Sequence, residues 1–321
     1  MGSLRLWSDE VEAMRAEARR TVDAGSPLLQ YIGGERQTEG LSRDERIRRQ
    51  RESMNYGDVT VPEAVEREIA GVRCRVIRPE DTPRAVYLHF HGGGMVAGSP
   101  DTMDIPNLQT ARQHNVAVVS ADYRKAPEHP WPAGPDDGVA VAAWLLEHGE
   151  AEFGTPRMLI GGESAGGYMT AIVALRVRDE LGAIDRIGGC NLVFPIVDWG
   201  GTPSQRGARP HGGFDILDPE GISFVTECFV PDRSVTERRA AEISPLYADL
   251  AGLPPCMVSV GTCDHLLDDS LFFATRASAA GVNVELFVAP ELPHAFMLFD
   301  CGITKLWIDR VSAWFEARLA E

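Results

Sequence analysis

The chain has 321 residues, 44% of them apolar, and a formal net charge of −16. That length suits one large α/β domain or two ordinary ones, and the negative charge argues against nucleic acid and anionic membranes as partners. No run of about 18 uncharged apolar residues is present, so neither a membrane-spanning helix nor membrane insertion is expected.

The six cysteines (Cys74, Cys190, Cys228, Cys256, Cys263 and Cys301) form no C-x-x-C pair. Zinc-ligand spacing and a small disulfide scaffold are therefore excluded, and a reducing, cytoplasmic setting is expected. The opening "MGSLRLWSDEVEAMRAEARR" is charged and amphipathic and lacks the apolar core of a secretion signal. Trp7, Val11, Met14, Ala18 and Val22 recur in it at helical spacing. A second, strongly charged helical pattern follows in "SRDERIRRQRESMN".

Short β-rich runs then alternate with helical patterns. "AVEREIAG" and "VRCRVIRP" read as a hairpin over Ala70-Gly71, and "AVYLHF", "VAVVSADY", "RMLIGG", "CNLVFPI", "CMVSVG" and "VELFVA" as six further strands. Between and after them lie "PNLQTARQHN", "DDGVAVAAWLLEHG", "SAGGYMTAIVALRVRDEL", "LLDDSLFFATRASAAG" and "TKLWIDRVSAWFEARLAE". Apolar strands alternating with helices predict a mostly parallel eight-stranded sheet covered on both faces, with an antiparallel edge. Ligands bind such sheets beyond the carboxyl ends of the strands.

Residues 1–58 and about 199–243 fall outside this alternation. They are read as two parts of a helical cap over a catalytic domain of residues 59–321, the alternative being a frayed tail and a surface insertion. Deletion of residues 1–45 is then expected to change chain-length preference more than it harms the sheet.

The stretch "YLHFHGGGMVAGSP" (87–100) gives up side chains at Gly92, Gly93 and Gly94 just after a strand. Bare backbone there suits a tight turn, a phosphate cradle, a metal site on His89-x-His91, or an oxyanion hole. The metal reading lacks a third ligand, so no metal is assigned. A second stretch, Gly162-Glu163-Ser164-Ala165-Gly166, is G-x-S-x-G between a strand and a helix. That context makes it a nucleophile elbow rather than an ordinary glycine-rich turn.

A serine hydroxyl needs a base, and the base needs an orienting partner. Of the later histidines His211, His265 and His294, the last stands in a loop after a strand, close to the final helix. Asp264 likewise lies in the loop directly after a strand, whereas Asp268 and Asp269 fall a turn into the next helix, where carboxylates commonly complement its dipole; Asp268 is the alternative acid. The catalytic candidates are Ser164, Asp264 and His294. The opening glycines then become the oxyanion hole: N–H groups of Gly93 and Gly94 join that of Ala165, and His91, Gly92 and Glu163 support them. Trp199 and Phe214 are candidate pocket residues, with buried packing as the plainer role for each.

With "HGGG", "GESAGG", "CDHLLD" and "PHAF" in this order, together with "DYRKAPEHPWPAG" and "ISPLYADLAGLPP", the chain resembles the hormone-sensitive-lipase-like (bacterial family IV) esterases of the α/β-hydrolase superfamily. The resemblance runs from about residue 60 to the C-terminus. It implies a carboxylesterase with no cofactor, a small-molecule ester substrate of shorter acyl chain, a helical cap and a homodimer. Amide or formamide hydrolysis and acyl transfer with the same triad stay open, as does a non-catalytic binding protein on the same scaffold. Two residues depart from the family pattern. Glu163 stands where Asp or Thr is common and is expected to alter the hydrogen bonds behind the elbow. Lys125 replaces a frequent leucine.

Overall fold

A computed structural model of the chain describes residues 6–25, 40–54, 59–207 and 217–320. β1 (Ala64–Ile69) and β2 (Val72–Ile77) form the antiparallel hairpin, with Ala70 and Gly71 at φ 52° and 79°. Two positive φ values in a two-residue loop match the right-handed twist of the flanking strands. β2 runs antiparallel to β4 (Ala117–Ala121). β3 (Val86–Phe90), β5 (Met158–Glu163), β6 (Ile187–Val193), β7 (Cys256–Gly261) and β8 (Val284–Ala289) continue the sheet in parallel. The eight strands lie in the order β1-β2-β4-β3-β5-β6-β7-β8.

β3, β4 and β7 are buried from end to end, which is why they read as mostly apolar runs, each with one buried polar residue (His89, Ser120 and Ser259). Their side chains alternate between two cores. Leu88, Phe90 and Ile160 point into one, and Tyr87, Val118 and Leu159 into the other. Chain segments between strands, and the segment after the last one, supply the covering helices: α3 (Asp104–His114), α4 (Ala133–Phe153), α5 (Ala165–Arg176), α7 (Leu267–Ala279) and α8 (Gly302–Ala320).

The N-terminal helices part company. α1 (Asp9–Ala24) starts at Ser8, whose Oγ accepts the Val11 N–H at 3.3 Å. It packs along α8 and buries Val11, Ala18 and Val22 in the core that also holds Phe296, Phe299 and Ile303. Its Arg15 donates to Glu291, in the loop before His294, at 2.5 Å. α2 (Arg43–Ser53) is almost wholly polar, buries only Ile47, and meets α6 (Pro219–Phe229) instead. The Arg46 guanidinium lies 4.1 Å over the Phe224 ring and 3.1 Å from Glu220. Because α1 supplies a stripe of one core, removing residues 1–45 would uncover that core. This weighs against the expectation that the deletion would change chain-length preference more than it harms the sheet. Phe214 and His211 lie outside the described residues. No helix among the described residues is long and apolar enough to cross a membrane.

Candidate active site

β5 ends at Glu163, α5 begins at Ala165, and Ser164 between them adopts φ 58° and ψ −115°. A positive φ on a residue with a Cβ costs about 1–3 kcal/mol and survives only where the surroundings hold it. Here the Ser164 N–H donates to Val193 O at 2.9 Å, and its carbonyl accepts from Tyr168 at 3.1 Å. The helix starts hard against β3. A Cβ at Gly166 would sit 1.9 Å from Phe90 O, so only glycine fits.

The Ser164 hydroxyl donates to His294 Nε2 at 3.1 Å, and His294 Nδ1–H donates to Asp264 Oδ2 at 2.8 Å. Asp264 Oδ1 accepts the Leu266 N–H at 2.8 Å, which fixes the carboxylate. Both Asp264 and His294 are buried, and the Phe194 ring packs edge-on to the imidazole at 4.5 Å. Three side chains from the ends of β5, β7 and β8 thus meet beyond the carboxyl edge of the sheet.

Asp268 and Asp269, read as dipole complements, have another use. Asp269 is fully buried and accepts from Val197 N (2.8 Å), Asp198 N (3.0 Å), Thr202 Oγ1 (2.8 Å) and Gln205 Nε2 (2.9 Å). Burial outweighs these donors and pushes its carboxyl up to about 7. Asp268 Oδ2 accepts the Ser204 N–H at 2.8 Å, and His265 Nδ1–H donates to Ser204 O at 2.9 Å. These side chains anchor the 197–205 loop.

The glycine run lies against the elbow: a Cβ on Gly92 would be 3.6 Å from Ser164 Cβ. Gly93 has φ 124°, and its carbonyl accepts from Val96 and Ala97 at 3.1 and 3.0 Å. A methyl there would strike Ala97 O at 2.1 Å. Gly94 lies under Val225 of α6. Among the described residues, the N–H groups of Gly93, Gly94 and Ala165 have no protein acceptor. His91 braces the turn: Nδ1–H donates to Gly92 O at 2.7 Å, and the ring stacks on Tyr123 at 4.4 Å. Burial, with the Lys125 charge nearby, holds this imidazole neutral, down to about 3. Lys125 itself donates to Asp122 at 2.5 Å.

Trp199 is 2% exposed and sits in an aromatic cluster with Tyr168 (5.4 Å) and Phe229 (4.7 Å). Sequence reasoning missed Glu163's partner. His89 Nε2–H donates to Glu163 Oε2 at 3.1 Å and leaves this histidine committed within the fold. The one available signal was the unusual glutamate itself.

The family model described as alpha/beta hydrolase fold matches residues 87–298, from the strand before the glycine turn to just past His294. The chain belongs to the α/β-hydrolase fold family. This α/β-hydrolase is 36% identical over 225 residues to carboxylesterase NlhH of Mycobacterium tuberculosis, covering 67% of each chain. It is 30% identical over 228 residues to an ethyl acetate hydrolase of Pseudomonas putida, covering 68% of this chain and 69% of that one. Among solved structures, a hormone-sensitive lipase from a metagenome library is 29% identical and superposes with a TM-score of 0.74 over 97% of both chains. The α/β-hydrolase is thus hormone-sensitive-lipase-like, as its motifs indicated.

Proposed function

We propose that this α/β-hydrolase cleaves short- to medium-chain carboxylic esters through an acyl intermediate on Ser164. The observation that carries the reading is the unbroken relay from Ser164 Oγ to His294 and on to Asp264, at 3.1 and 2.8 Å. His294 takes the hydroxyl proton as Ser164 attacks the carbonyl, then returns it to the leaving alcohol. Asp264 holds the imidazole tautomer and stabilises the imidazolium. The amides of Gly93, Gly94 and Ala165 receive the oxyanion. Water, activated by His294, then attacks the acyl carbon and frees the acid and Ser164. The chemistry uses no cofactor.

The proposal extends to the cap. Of the cap expected from residues 1–58 and about 199–243, α2 and α6 cover the site together, a reading supported by Arg46 on Phe224 and by Val225 over Gly94, while α1 belongs to the core along α8. A cytoplasmic setting is supported by the six cysteines, all buried and none joined in a disulfide. A homodimer is supported by β8, an edge strand whose Val284 and Leu286 are half-buried.

The test is a panel of chromogenic esters set beside anilides and acyl acceptors, run on wild type and Ser164→Ala. Ester turnover and labelling by a serine-directed organophosphate should both vanish in the variant while its fold persists. Full activity of Ser164→Ala would end the acyl-enzyme account; preference for anilides or for acyl acceptors would reassign the reaction.

A further inference from the structure

The structure assigns a positioning role to the His89–Glu163 pair: it locks the oxyanion turn to the nucleophile elbow. This rests on the reading of Ser164 as nucleophile and of Gly93 and Gly94 as oxyanion donors.

His89 lies on β3, the strand that runs into the glycine turn, and Glu163 ends β5, directly before Ser164. The imidazole is 1% exposed. Its Nε2–H faces both carboxylate oxygens of Glu163, at 3.2 and 3.1 Å. On the opposite side Nδ1 accepts from Ser120 Oγ at 2.9 Å and from Asn107 Nδ2 at 3.4 Å. Asn107 has only hydrogens to offer through that nitrogen, so Nδ1 is the acceptor and the ring proton sits on Nε2, aimed at the carboxylate. One polar chain therefore crosses α3, β4, β3 and β5 and stops at the residue before the nucleophile.

The local sequence explains why such a link is needed. His89 and Phe90 are paired across the sheet with Gly161 and Gly162. Glycines leave room for the sharp turn, but they offer no side chain to steady one strand end against the other. Glu163 reaches back to His89 and supplies that contact. A misplacement of about 1 Å between reacting groups costs on the order of 100-fold in rate, so holding these two loops in register bears on kcat and leaves ground-state binding largely alone.

The experiment compares His89→Ala, Glu163→Ala, the double variant, Glu163→Gln and the milder Ser120→Ala with wild type. Measured are kcat and KM on p-nitrophenyl butyrate, the rate of fluorophosphonate inactivation, and thermal melting. His89→Ala and Glu163→Ala should each lower kcat about 10- to 100-fold with KM nearly unchanged. The double variant should be no worse than the poorer single one. Glu163→Gln keeps an acceptor for Nε2–H and should retain most of kcat. Ser120→Ala, which removes one of the two donors to Nδ1 and leaves Asn107 in place, should lose a smaller factor in kcat, and it serves if an alanine variant fails to fold. Losses that multiply in the double variant, losses in KM alone, or wild-type kcat in every folded variant would each overturn the proposal. Mapping the fluorophosphonate adduct in wild type keeps the two readings apart. An unlabelled Ser164 sinks the nucleophile assignment, whereas a labelled Ser164 with unaffected variants sinks only the pair.

Discussion

Gly94 lies so close beneath Val225 that a Cβ on the glycine would sit 2.9 Å from the valine Cγ1. The insertion helix α6 is therefore the roof over the glycine turn. Gly94→Ala must lift that roof or push the turn aside, and should lower ester kcat about 100- to 1,000-fold, the usual cost of a lost oxyanion donor. Val225→Ala should instead leave acetate turnover near wild type and raise kcat/KM on longer acyl chains. The double variant should recover part of the Gly94→Ala loss. A p-nitrophenyl ester series from acetate to dodecanoate reads all three; an unchanged chain-length profile in Val225→Ala would remove the roof from the account.

Arg51 of α2 reaches the same turn from the other side. Its Nε donates to Val96 O at 3.0 Å, Nη2 to Ala126 O at 3.2 Å, and its fork to Glu128 at 2.9 and 2.6 Å. The hydrogen bonds from Arg51 hold the Glu128 carboxyl down to about 2, from an ordinary 4.5. With the folded value depressed, the pair's stabilisation is present above about pH 4.5 and fades as pH falls toward 2. Both side chains are over a third exposed, so the effect is under about 1 kcal/mol. The melting-temperature gap between wild type and Glu128→Gln should be constant between neutral pH and about 5 and close by about pH 2. A gap that persists at the acid end would contradict the assignment.

Asp269 carries a larger burden. Asp269→Ala would leave two backbone N–H groups and the Thr202 hydroxyl buried without their acceptor, and Gln205 Nε2 with only Asp198 O. Each such group costs about 1–3 kcal/mol, so the variant should melt many degrees below wild type, with protease cleavage appearing within 197–205. A melting curve that overlays wild type would mean that the loop is held by something else.

Much of this was legible in the sequence, for physical reasons. β3, β4 and β7 show as mostly apolar runs because helices cover both faces of the sheet. Ser164, Asp264 and His294 could be singled out because each lies in the turn or loop that follows a strand, and parallel strands deliver such positions to one edge. What stayed hidden depends on partners far along the chain. Asp269 bonds residues more than 60 positions earlier, so its place near a helix start looked sufficient. Glu163 could be seen as unusual, but its partner is 74 residues away. The apolar stripe of α1 was visible too. Its destination on α8, and hence the different fates of α1 and α2, was not.

The central claim is that Ser164 carries the acyl group during turnover, and rapid acid quench of a p-nitrophenyl ester reaction followed by mass spectrometry of the peptides tests it most directly. The account predicts a nitrophenol burst approaching one equivalent per chain, and an acyl mass increment confined to the peptide containing Ser164. A steady ester turnover that deposits no acyl group on that peptide, or deposits it elsewhere, would contradict it.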